Sequence, residues 1–317
     1  MKSTAWSWQP CGTVLGPPDE ADHGVPHRLY GVAVSPDGQW LVGTTSRNAF
    51  LWRIAPEFAD TELVRTWDTG MEMYAQFSSD SRQVAISGDG NLAFYVASGE
   101  RAFVPEFPVG AGAGCYCGFL SFSHDGKSLA GSSFGYTVNV WTDGAAQPVQ
   151  QLPSPSCNTA AGFSADDSLL ATSTRELFRT SDWSRVWPNE TLPRAEPAPD
   201  AFPYLDSVQF APSGKEALIS NCSLRDGVGV VCTNDLYSVT TGAHTGSLGL
   251  TKPLPVYSPD GNWVVAGGEV SSVANSAYIA LDAAQTAGAF APNGDIITGG
   301  ADGNLQRWCR QSSIVAP

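Results

Sequence analysis

Few residues in the chain have both the type and the spacing to do chemistry. Gly131-Ser132-Ser133-Phe134-Gly135 has the G-x-S-x-G form of a hydrolase nucleophile elbow. That motif needs a strand before the serine and a helix after it. Here a β-pattern, Val138-Asn139-Val140-Trp141, follows instead, which predicts a loop between two strands. The four histidines, His23, His27, His124 and His244, are scattered. Cys115-Tyr116-Cys117 has no second cysteine pair at zinc-site spacing. Acidic groups at Asp19-Glu20, Asp22 and at Glu57, Asp60, Glu62 lack the spacing of a calcium loop and read as a solvated acidic surface. Gly110-Ala111-Gly112-Ala113-Gly114 lacks the following helix that a phosphate-binding loop requires. No catalytic residue, metal site or cofactor is expected from these motifs.

The residues better suited to recognition lie on connectors. Phe107 and Tyr116 share one, Arg194, Phe202 and Tyr204 another, and Arg225 a third. Aromatics and arginine are the favoured anchors of protein interfaces. The same aromatics would also serve to pack connectors onto a scaffold, as expected for Trp183 and Trp187.

The scaffold is legible as a repeat. A four-residue turn recurs seven times: Ser35-Pro36-Asp37-Gly38, Ser78-Ser79-Asp80-Ser81, Ser123-His124-Asp125-Gly126, Ser164-Ala165-Asp166-Asp167, Ala211-Pro212-Ser213-Gly214, Ser258-Pro259-Asp260-Gly261 and Ala291-Pro292-Asn293-Gly294. Successive third residues are 43, 45, 41, 47, 47 and 33 apart. Spacing of about 40–45 residues is that of four-stranded propeller blades. Proline presets φ at the second position and glycine accepts positive φ at the fourth, so each copy reads as a tight hairpin turn. An apolar residue precedes each turn (Val34, Phe77, Phe122, Phe163, Phe210, Tyr257, Phe290), and a short β-rich run follows it. Third elements such as Phe50-Leu51-Trp52 and Val138-Asn139-Val140-Trp141, and weaker fourth ones such as Leu63–Trp67, complete the repeat.

The chain resembles the WD40-repeat family over nearly its whole length. The last repeat, Ile296 to Trp308, carries it best. In that family the residues matching Thr298, Asp302 and Trp308 form a buried polar network. Trp52 and Trp141 recur at the strand position, whereas the family's Gly-His dipeptide is absent from all the repeats. The expected fold is all-β: a seven-bladed β-propeller of four-stranded antiparallel blades, residues 1–317 forming one domain. The compressed sixth repeat is expected to keep two short strands, Glu269–Ala274 and Ala277–Leu281, and the prolines from Pro188 to Pro203 exclude a central strand there.

Only seven residues follow Cys309-Arg310, too few for another strand and a tail. Residues about 5–15 are therefore expected to supply the outer strand of the seventh blade. That puts Cys11 opposite Cys309 in a disulfide. Cys222 and Cys232 bracket an insertion near Asn221–Asn234, and a bridge there would tie off a surface loop. Cys157 pairs with Cys115 or Cys117, at equivalent positions on adjacent blades; the second is preferred. The competing reading is ordinary buried thiols in a cytoplasmic protein. Disulfides would imply an oxidising compartment, secreted or periplasmic. No apolar segment follows Met1-Lys2, so no signal peptide is visible, although a trimmed chain would look the same.

A net charge of −14 disfavours nucleic acid as partner. No apolar run approaches the ~18 residues of a membrane span. The expectation is a non-catalytic scaffold, a monomer or part of a hetero-complex, that binds a protein, peptide or glycan through loops on one end face. The alternatives are an enzyme with acid–base groups converging in the central channel, and a structural subunit of a larger assembly.

Overall fold

A computed structural model describes residues 5–12, 15–16, 28–56, 58–68, 72–88, 92–96, 99, 101–103, 120–133, 137–142, 145, 147–154, 159–187, 202–203, 206–225 and 229–313. Among the described residues the only helical segment is the single turn Phe58–Asp60; the rest is strand, turn and loop. The strands form seven antiparallel sheets in chain order, most of them four-stranded. The first contains Gly31–Val34, Trp40–Thr44, Asn48–Arg53 and Glu62–Asp68, laid side by side in sequence order.

The recurring turn explains why each sheet starts as it does. Ser35 Oγ donates to Asp37 Oδ1 (2.5 Å) and accepts the Trp40 N–H (2.9 Å), while Asp37 also accepts the Gln39 N–H (3.0 Å). The same serine–aspartate clasp recurs at Ser78/Asp80, Ser123/Asp125, Ser164/Asp166 and Ser258/Asp260. All seven fourth residues have positive φ, including Ser81 (62°) and Asp167 (57°), where glycine is replaced. The turn geometry is thus kept even where its usual residue is not.

Packing runs between sheets. Val42, Leu51 and Trp67 of the first sheet join Phe77, Val84 and Ile86 of the second. Further buried clusters join the second to the third, the third to the fourth, the fourth to the fifth, the fifth to the sixth and the sixth to the seventh. One more joins the seventh to the first, through Ala287, Ala289, Ile297 and Leu305 against Val32, Leu41, Phe50 and Trp52.

The N-terminal strand, Ala5–Pro10, pairs with Leu305–Ser313 at the outer side of the seventh sheet. Trp8 fixes it. Its ring is buried, meets Trp263 edge-on at 5.3 Å and Phe290 at 6.1 Å, and its Nε1–H donates to the Gly294 carbonyl (3.0 Å). Cys11 and Cys309 come to disulfide-bonding distance, Cα–Cα 5.6 Å. They are not opposite, however. Gln9 faces Cys309, and the Cys11 N–H bonds the Arg307 carbonyl, so the pair is diagonal across the ladder.

The sixth sheet has its two short strands, Glu269–Ser272 and Tyr278–Ala280. Three expectations need correction. Among the described residues the fourth sheet has three strands, Ala161–Phe163, Leu169–Thr172 and Leu177–Arg179. Its outer position is a single bridge, Phe178 to Arg185, because the chain turns back at Trp183 and runs into Pro188. The insertion in the fifth repeat is not a surface loop. It extends one hairpin, Glu216–Arg225 with Gly229–Ser238, in which Cys222 faces Cys232 and both are buried. Asp302 does not join a buried network. It is exposed and bonds Asn304, while Trp308 Nε1 donates to the buried Thr298 hydroxyl (2.8 Å) without it.

Candidate functional site

The strand that leads into the recurring turn places one residue, two before the turn, on a common cavity in every sheet: Ala33, Gln76, Ser121, Gly162, Gln209, Val256 and Ala289. The cavity measures about 240 Å³ and touches all seven sheets. Small residues at most of these positions leave the space open. At Gly162 a Cβ would stand 2.7 Å from the Val208 carbonyl oxygen, so only glycine lets the inner strands of the fourth and fifth sheets approach this closely.

The polar side chains of the described lining are Tyr74, Ser121, His124 and the amides of Gln76 and Gln209. Gln76 Oε1 accepts the Phe122 N–H (3.1 Å), and Gln209 Oε1 accepts the Tyr257 N–H at 3.4 Å. Each glutamine therefore ties its own inner strand to that of the next sheet. Tyr74, on the second sheet, packs against the cluster between the fourth and fifth sheets and hydrogen-bonds Gln209. It spans the cavity. Burial pushes its hydroxyl up to about 12, more than the Gln209 hydrogen bond pulls it down, so it stays protonated at neutral pH. Among the described lining residues there is one histidine, His124, and no carboxylate. The convergent acid–base pair that a channel enzyme needs is not assembled by these residues.

At the edge of the cavity His124 meets a clamp between neighbouring turns. Asp167 accepts the N–H groups of His124 (2.6 Å) and Asp125 (2.8 Å), and its carboxylate lies 3.5 Å from the His124 ring. In the same way Ser81 Oγ accepts the Asp37 N–H (3.1 Å), and the Ser79 hydroxyl bonds the His124 carbonyl. The two residues that replace glycine at positive φ both link their turn to the one before.

Of the expected anchors, Phe107, Tyr116, Arg194 and Tyr204 lie outside the described residues, as do Cys115, Cys117, Cys157, His23 and His27. Phe202 lies in the short strand Phe202–Pro203, opposite Leu224, and Arg225 ends the strand Glu216–Arg225. These two are thereby brought to one end of the long hairpin. Gly131, Ser132 and Ser133 lie within the strand Ser128–Ser133, which corrects the expected loop for these three residues, while Phe134 and Gly135 lie outside the described residues.

One constellation escaped the sequence. Ser247 Oγ donates to Asp235 Oδ1 (2.5 Å), and His244 Nε2 lies 3.4 Å from both. This is not a hydrolytic triad. One ring nitrogen faces both the hydroxyl and the carboxylate, and the carboxylate already takes the serine proton. His244 and Ser247 are exposed on the fifth sheet's outer strand, His244–Ser247, and Asp235 is half-buried on the adjacent strand, Gly229–Ser238. No group of three or more histidine, cysteine, aspartate or glutamate side chains among the described residues is arranged to hold a metal ion. Nor is any helix among them long and apolar enough to cross a membrane.

Residues 22–53 match the WD domain, G-beta repeat. The match takes in the first turn and the first three strands of the first sheet, ending at Trp52-Arg53. With the all-strand architecture it marks the fold as WD40-like. No curated protein matches the chain.

Proposed function

We propose that residues 1–317 form a single seven-bladed propeller, closed by its N-terminal strand, that acts as a non-catalytic interaction scaffold. The observation that carries the ring is the set of buried clusters between consecutive sheets, including one from the seventh back to the first. The cavity bordered by the inner strand of every sheet supports the same reading. For function, the WD-repeat match supports protein interaction in general. On this reading a protein, peptide or glycan binds loops on one end face, anchored by Phe107, Tyr116, Arg194, Phe202, Tyr204 and Arg225. The two cysteine pairs favour maturation in an oxidising compartment, secreted or periplasmic, with Cys117–Cys157 as a third bridge. The cytoplasmic alternative predicts reduced thiols in the native protein.

The test is affinity capture from extracts of the native host, with the wild type and with Phe202→Ala/Arg194→Ala. A partner retained by the wild type and lost from the variant supports this face. Equal capture by both moves the binding site elsewhere.

A further inference from the structure

The cavity has a chemistry that end-face binding does not use. Its walls mix apolar side chains with Tyr74, Ser121, His124 and two glutamine amides, and the orientation of the amides is fixed. Each Gln Oε1 accepts a backbone N–H of the next sheet, so Nε2 must point away from that strand. For Gln209 one amide hydrogen reaches Tyr74 across the cavity. Among the described residues no acceptor meets Gln76 Nε2. The site is therefore rich in uncharged donors, in a space bounded by Val32, Val208 and Phe290.

We propose that this cavity binds a small neutral molecule with an apolar body and a carbonyl-type acceptor, received by the amide of Gln76 and, beside Tyr74, that of Gln209. Size fits this class. An apolar cavity of about 150 Å³ admits benzene, and about 240 Å³ leaves room for a ring with one amide. Charge selects the neutral form. No lysine or arginine is among the described lining residues, and the His124 ring at the edge already faces the Asp167 carboxylate, so a carboxylate moved there from water would lose hydration without gaining a free counter-ion. The inference needs the cavity alone and does not depend on the end-face anchors.

Benzamide and its charged isostere benzoate are the probes, titrated into the full chain by calorimetry and by saturation-transfer NMR. The expected result is saturable one-to-one binding of benzamide, with benzoate at least about tenfold weaker. Gln76→Leu removes an acceptor-seeking donor and should weaken benzamide roughly five- to tenfold. Tyr74→Phe, which keeps the ring, should weaken it less by releasing Gln209. If Gln76→Leu fails to fold, Tyr74→Phe and the benzamide-to-benzoate ratio remain decisive. Absence of saturable benzamide binding to the wild type overturns the proposal. So does equal affinity for benzoate, or unchanged affinity in variants that melt like the wild type.

Discussion

Replacing Trp8 by alanine should loosen the seam where the chain's two ends meet. Trp8 is only 6% exposed and lies between Trp263 and Phe290, in the cluster that joins the sixth and seventh sheets. Truncating a buried tryptophan costs about 3–5 kcal/mol. The indole also satisfies the Gly294 carbonyl, so Trp8→Phe should by itself cost roughly 1 kcal/mol. Native domains are stable by about 5–15 kcal/mol, so the alanine variant forfeits a large share. With a urea m-value of about 3 kcal/mol/M, the unfolding midpoint should fall by roughly 1 M or more. The assay is urea unfolding followed by circular dichroism at fixed pH without reductant. Trp8→Ala and Trp8→Phe should separate clearly. An alanine variant whose midpoint stays within about 0.2 M of the wild type would refute the claim that this side chain seals the seam.

Other expectations follow from the turns and the cysteines. Hydrogen bonds from the Ser164 and Ser168 side chains, and then from the Ser168 N–H, pull Asp166 down to about 2. The Lys127 N–H, followed by the Ser123 hydroxyl, lowers Asp125. Their stabilisation is complete above the unfolded carboxylate value, near 4, and is lost as pH falls from there toward 2. Urea midpoints should therefore be level at pH 5–6 and drop below pH 4, with a shallower drop in Ser164→Ala. Asp167→Gly relieves a left-handed backbone but removes two bonds to the preceding turn; a net loss of about 1 kcal/mol is expected, and a gain in thermal midpoint would show that the clamp does not hold. Cys11→Ser/Cys309→Ser opens a loop spanning 298 positions, and the chain-entropy account assigns it about 6 kcal/mol. In non-reducing melts this variant should unfold well below the wild type, and coincident melts would contradict the closure.

The parts that local chemistry dictates were legible in the sequence. Serine, aspartate and glycine at fixed offsets specify a turn whose hydrogen bonds close within six residues, and the turns alone located the inner strands. Features that depend on distant chain segments were not. Tyr74 and Gln209 are far apart in sequence and meet only through the arrangement of the sheets. His244, Asp235 and Ser247 converge because the register shifts at Leu236/Tyr237, an irregularity that periodicity does not reveal. A pairing offset of two residues made Cys11 diagonal to Cys309 rather than opposite, a distinction that residue spacing cannot carry.

Hydrogen–deuterium exchange on the native, oxidised protein tests the joining of the two ends most directly. Inward-facing amides of Trp6–Gln9 should be protected together with those of Leu305–Gln311, and both sets should lose protection in Trp8→Ala. Exchange of residues 5–10 at the rate of an unstructured peptide, with Ile296–Gly300 still protected, would contradict the account.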